Sequence, residues 1–229
     1  MNYNYNKNMD RVLLRISGIL FIICLIFGFI SCSREEPEIV FGYIELILYS
    51  TRDNNHEERY SFFIIGDDDD GVDNLSELYL YNDREGLRWL LTSDDWIRQE
   101  EDGITWIGSR NIAMQEGAPM PRGQYRAVLV NRGGESTERR FTYDGPVNPL
   151  HPFPSLSISE GRYLIDSQYP TNHFVGYDMQ GRIVQTLTVT ANEGLLSTLR
   201  ISSSVRSVAL WAENPEYRIS AFTDAVTLR

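Results

Sequence analysis

From Ile39 onward the sequence is a succession of short β-branched and aromatic runs, each closed by a turn of Gly, Pro, Asp or Asn. This punctuation constrains the fold most. Runs of this length suit strands, and the breakers between them stop a helix from propagating. In residues 40–49 the even positions Ile44, Leu46 and Leu48 share one face of an extended chain. Residues 59–65, 75–81, 87–91, 104–107, 111–114, 124–130 and 138–143 continue the pattern. Residues 93–101 break it. Ser93 suits an N-cap and Asp94 and Asp95 suit a first helical turn, which predicts one or two turns of helix. About eight strands in roughly 105 residues suit an antiparallel sandwich.

Residues 144–154 hold four prolines in eleven positions, the clearest linker signal in the chain. Beyond it the β pattern resumes, with candidate strands at 156–158, 162–166, 173–177, 183–190, 195–201, 205–212 and 218–222. Val208, Leu210 and Ala212 alternate with Ala209 and Trp211, which predicts a strand buried on both faces. The expected fold is therefore all-β, with two antiparallel β-sandwich domains: a first at 39–144, a Pro-rich linker at 145–154, and a smaller one at 155–229. The second is small enough to need docking on the first.

The N-terminus has a different character. Residues 1–15 are Asn-rich and carry Lys7, Arg11 and Arg15, and residues 16–30 form an apolar run of 15 residues. A membrane-spanning helix needs roughly 20; a basic segment followed by a short apolar one reads as a secretory signal peptide at 1–31. The run ends in Phe29-Ile30-Ser31-Cys32. These residues resemble the lipobox of bacterial lipoproteins, relaxed at Phe29 and Ile30 as in spirochaetes. The resemblance implies that Cys32 becomes a lipidated N-terminus on a tether at 32–38, carrying palmitate-type chains. Several acyl chains on one residue suffice for stable attachment. The resemblance places the folded part in the cell envelope, on the periplasmic or surface face of an outer membrane.

Residues 87–96, 105–110, 121–126 and 207–213 extend the likeness to small treponemal-type lipoproteins of unassigned function. The hairpin start Pro121-Arg-Gly-Gln-Tyr125 is similar to one found in fibronectin type III and immunoglobulin-like modules.

Cleavage at Cys32 changes the composition. The full chain carries 21 basic and 32 acidic residues, a net charge of −11. Three basic residues and Asp10 leave with the leader, so the remaining 198 residues carry 18 basic against 31 acidic residues, a net charge of −13. This balance argues against nucleic acid as a partner. Lys7 is the only lysine and Cys24 leaves with the leader, so the mature chain has no lysine and no thiol besides Cys32. Schiff-base, Ser-Lys and cysteine-nucleophile chemistry are thereby excluded. No nucleophile elbow, P-loop or HExxH spacing occurs, and His56, His151 and His173 are scattered. No catalytic residue and no cofactor is expected.

Two features remain as candidate sites. A twelve-residue calcium loop laid on residues 66–77 puts Asp68, Asp70, Asn74 and Glu77 at ligand positions and Gly71 at the turn. Gly66 at position one and Asp73 at position eight depart from that pattern, and a solvated hairpin tip explains the same charges. Trp89, Trp96 and Trp106 lie within eighteen residues. Exposed together they make an aromatic surface for protein or glycan; otherwise they are core. The leading expectation is a non-enzymatic, membrane-anchored binding or adhesion module for protein or glycan. A structural envelope or surface-fibre subunit is the alternative, and a calcium-dependent module or carbohydrate-active enzyme the third.

Overall fold

The computed structural model describes residues 35–51, 56–146 and 151–228. The leader, Cys32 and residues 147–150 of the Pro-rich stretch lie outside the described residues. The first half of the chain forms β1 (Glu38–Ser50), β2 (His56–Asp67), β3 (Leu75–Asn82), β4 (Leu87–Thr92), β5 (Ile97–Glu101), β6 (Ile104–Ala113), β7 (Gly123–Asn131) and β8 (Ser136–Tyr143). The second half forms β9 (Ser155–Ser159), β10 (Arg162–Asp166), β11 (Thr171–Tyr177), β12 (Ile183–Thr188), β13 (Glu193–Leu195), β14 (Ser207–Asn214), β15 (Ile219–Phe222) and β16 (Val226–Thr227). The fold is all-β, as the turn spacing predicts.

Three of the sequence expectations are corrected locally. Residues 93–101 make a turn and then strand β5, not a helix. Asp95 and Trp96 donate their amides to the Thr92 carbonyl at 2.9 and 3.0 Å, and β5 then pairs with β6. Cross-strand pairing overrides the local capping preference. Residues 104–113 form one strand rather than two. At its centre a Cβ on Gly108 would lie 2.0 Å from the Phe62 carbonyl, so only glycine lets β6 approach β2 there. Residues 196–198 close into a 3-10 turn after the short β13.

The larger correction concerns the linker. β12, β11, β14, β15, β1, β2, β6 and β5 form one sheet in that order, with β16 also paired to β14. Its halves meet where β15 runs parallel to β1, from Leu46↔Ile219 to Tyr49↔Phe222. The Pro-rich stretch therefore connects two parts of one nine-stranded sheet, and residues 36–229 form one compact unit. A four-residue strand pairing with a partner some 170 positions away leaves no local pattern to read.

Two smaller sheets, β4-β3-β7-β8 and β13-β10-β9, pack on the same face of the large one. Ile44, Leu46 and Leu48 of β1 and Tyr60, Phe62 and Ile64 of β2 point into the first layer. Phe62 there meets Phe141 edge-on at 5.2 Å. Phe174 and Leu210 face the second layer, where Phe174 meets Tyr163 at 5.3 Å. The result is two sandwiches sharing one sheet and one contiguous core.

The loop between β6 and β7 is locked onto the first sandwich by a buried ion pair. Glu58 accepts from Arg122 through both carboxylate oxygens, at 2.7 and 2.9 Å, and from the Met120 amide at 2.8 Å. Tyr60 and Tyr125 both donate to the Pro121 carbonyl, at 2.6 and 2.5 Å. Burial raises the Tyr60 hydroxyl well above its ordinary pKa, which keeps it a donor.

Candidate binding surface

After a bulge between Ile39 and Phe41, strand alternation sends the odd positions of β1 from Phe41 to Tyr49 away from both smaller sheets. Among the described residues no strand packs against the face they occupy. Ile47, Phe63, Val175 and Ala209 are nevertheless buried on it and belong to no part of the core cluster. Tall neighbours cover them, and those neighbours are mostly aromatic.

The register assembles one transverse row. His173 of β11 lies opposite Trp211 of β14, Trp211 opposite Phe222 of β15, and Phe222 opposite Tyr49 of β1. Ring centroids are 4.9, 6.2 and 6.0 Å apart along it, with interplanar angles of 33°, 19° and 28°. Arg59 closes the row over the Tyr49 ring at 4.9 Å. A second cluster lies nearer the β5 edge. Tyr43 stacks on Phe63 at 5.9 Å and meets Trp106 at 5.5 Å, and Phe41, half of whose surface is exposed, touches Trp106 edge-on. Every ring of the transverse row is half-buried.

Carboxylates stand between the two clusters. Glu213 contacts His173 Nε2 at 3.1 Å, and His173 Nδ1 contacts the Thr188 hydroxyl at 3.2 Å. Glu45 is held above the usual carboxylate range, first by burial and then by the charge of Glu213. Burial likewise raises Tyr43 and Tyr49. The face thus combines apolar rings with a few polar groups in an environment short of water.

The tryptophans singled out in the sequence do not share a surface. Trp96 is buried, and its indole nitrogen finds no acceptor. Trp89 packs beside Tyr125 and donates to the Ala113 carbonyl at 2.9 Å. Trp106 alone of the three lies on the uncovered face. Trp211, Phe222, Tyr49 and His173 were missed as a site because they sit on three distant segments. Their one sequence signal was Trp211 within a strand expected to be buried on both faces.

In the acidic loop, Asp68 organises the chain. Its carboxylate accepts from Asn74 Nδ2 at 2.9 Å, Asn131 Nδ2 at 3.1 Å and the Asp70 amide at 3.0 Å. Partial burial works against these bonds, but they prevail and lower the Asp68 pKa. Glu77 accepts from the Tyr79 hydroxyl at 2.8 Å, and Asp70 is exposed. Among the described residues no three His, Cys, Asp or Glu side chains are grouped to hold a metal ion.

No protein-family description matches the sequence, and no curated protein matches it. Among solved structures, the chain is similar to one in the crystal structure of Dpr11 IG1 bound to DIP-gamma IG+IG2. The identity is 11%, over 82% of this chain and 99% of that one, with a TM-score of 0.25. A superposition at that level carries no assignment of function.

Proposed function

We propose that the chain is an exported lipoprotein, anchored through Cys32, whose folded unit binds a protein partner on the uncovered face of the nine-stranded sheet. The transverse row His173–Trp211–Phe222–Tyr49 carries this reading. Half-buried aromatics ringed by charged groups are the usual composition of a protein interface. Their orientation favours protein over glycan. Rings about 6 Å apart with small interplanar angles already cover each other's faces, whereas a sugar ring needs an open face to stack on. The row therefore offers ring edges and the clefts beside them, which apolar side chains fill. The leader supports the anchor by its order of basic segment, apolar run and cysteine.

The binding test is affinity capture from envelope extract with residues 33–229, beside a Tyr49→Ala/Phe222→Ala variant that retains its circular dichroism spectrum. Loss of a saturable partner in the variant supports the reading, and equal capture by both refutes it. For the anchor, Cys32→Ala should move the protein from the membrane fraction to the soluble one; continued membrane association contradicts lipidation.

A second reading, self-assembly into a fibre, rests on the sheet's edges. Ile97 of β5 and Ile183 and Val184 of β12 are exposed large aliphatics on the two outermost strands, where strand addition from another copy would start. Light scattering separates the two: a strict monomer at high concentration removes the second.

A further inference from the structure

The four-stranded sheet also has an outward face, on which arginines stand among acidic residues. Arg88 of β4, Tyr81 of β3, Arg126 of β7 and Arg140 of β8 form one cross-strand row. Arg126 and Arg140 are directly opposed, an arrangement that destabilises a sheet unless an anion lies between them. Asp83 in the β3–β4 turn serves Arg126, at 2.8 and 2.9 Å. Glu138 adds one long contact to Arg126 at 3.4 Å. Among the described residues no carboxylate is hydrogen-bonded to Arg140. Arg84, in the same turn, makes among the described residues one ion-pair contact, to Glu85 at 3.5 Å, and is largely exposed. Arg126 is also stacked over the Tyr81 ring at 4.5 Å, which fixes its guanidinium.

These groups line a concavity, not a flat surface. Arg84, Arg126 and Arg140 border a cleft of about 390 Å³ between the β3–β4 turn and the start of β7. A second cavity of about 590 Å³ shares Arg84 and Arg122 with it and is walled by Leu87, Met114, Pro119 and Pro121. Arg122, fixed by its ion pair with Glu58, lines both cavities. Meeting at Arg84 and Arg122, the two cavities offer different linings: the first presents Arg140 beside the Asp83–Arg126 pair, and the second is mostly apolar, with Glu85 at its margin.

We propose that this groove binds an organic anion with a short apolar arm, its carboxylate or phosphate head between Arg84 and Arg140 and its arm along Leu87 and Met114. Guanidinium forks suit such heads through paired, charge-assisted hydrogen bonds. In a chain of net charge −11, these residues cannot be attributed to a generally basic surface. The site is on a different sheet from the aromatic row and does not depend on it.

The test uses the full chain in nanodiscs of zwitterionic lipid, with hexyl phosphate, inorganic phosphate and hexylamine as probes. Phenylglyoxal labelling read by mass spectrometry should modify Arg84, Arg140 and the distant Arg162. Hexyl phosphate should protect Arg84 and Arg140 but not Arg162, at a concentration at least tenfold below that needed with inorganic phosphate. Hexylamine should protect none. Equilibrium dialysis should show saturable hexyl phosphate binding that falls at least tenfold in Arg84→Gln/Arg140→Gln and is unchanged in Arg162→Gln. Equal protection by the two phosphates overturns the apolar arm. Absence of protection, or equal protection of all three arginines, overturns the site. A third arm replaces the zwitterionic lipid with phosphatidylglycerol: protection without any soluble probe identifies a lipid headgroup as the source, and its absence a free anion.

Discussion

Replacing Arg122 by Met should be the most damaging conservative change in the first sandwich. Glu58 and Arg122 side chains are 9% and 14% exposed, and both carboxylate oxygens are engaged by the guanidinium. Removing Arg122 leaves a buried carboxylate with the Met120 amide as its remaining donor, a change that costs about 3–5 kcal/mol. The guanidinium also donates to the carbonyls of Met120 and Pro146, at 2.5 and 3.0 Å, so the loop bearing Pro121 loosens as well. Against a total stability of about 5–15 kcal/mol, this is a large fraction. Urea unfolding followed by tryptophan fluorescence should show a midpoint lower by about 2 M, for a slope near 2 kcal/mol/M. The Glu58→Leu/Arg122→Met double variant should lose much less than the sum of the single changes, because no buried charge is then stranded. A loss below about 1 kcal/mol in Arg122→Met, or strict additivity in the double variant, would refute the claim that this pair fastens the loop.

Trp89→Phe should lose about 1 kcal/mol with its bond to Ala113, whereas Trp96→Phe, which removes an unsatisfied buried donor, should lose less; thermal unfolding of both variants compares them. Glu45 has a raised folded-state pKa, so its ionised form opposes folding at neutral pH and the penalty fades as pH falls through that pKa. Glu45→Gln should therefore raise the melting temperature at pH 7–8, with a gain that shrinks on acidification; a gain independent of pH would contradict this. Asp68 has a lowered pKa, so its stabilisation is present above the unfolded-state value and is lost as pH falls through the folded-state one. Asp68→Asn should cost stability at neutral pH and flatten the acid limb of a melting-temperature profile.

Strand positions were legible because they depend on local chemistry. Residues 40–49, 75–81 and 124–130 carry both the alternation and the turn residues that bound them. Ser93 misled because capping propensity is local, whereas β5 exists only through its pairing with β6. The linker misled for a similar reason. Prolines in residues 144–154 do break structure, but nothing near them shows that β15 will return to the free edge of β1. The same long-range pairing builds the candidate surface, since Tyr49 and Phe222 become neighbours only through that register. Composition could narrow the chemistry without placing any ring. The arginine groove lay hidden for the opposite reason. Its residues read as surface charges interleaved with acids, and only the register shows Arg126 facing Arg140.

The transverse row runs unbroken from His173 to Tyr49 only if both halves of the chain share one sheet, and native-state hydrogen exchange on residues 36–229 tests this most directly. If β1 and β15 belong to a single cooperative sheet, peptides covering residues 46–49, 60–64, 207–214 and 219–222 should open with one common free energy and respond to urea with one slope. Opening of residues 155–228 as a separate unit, at lower free energy and with residues 38–50 and 56–67 still protected, would contradict the shared sheet and remove the structural basis for the proposed docking surface.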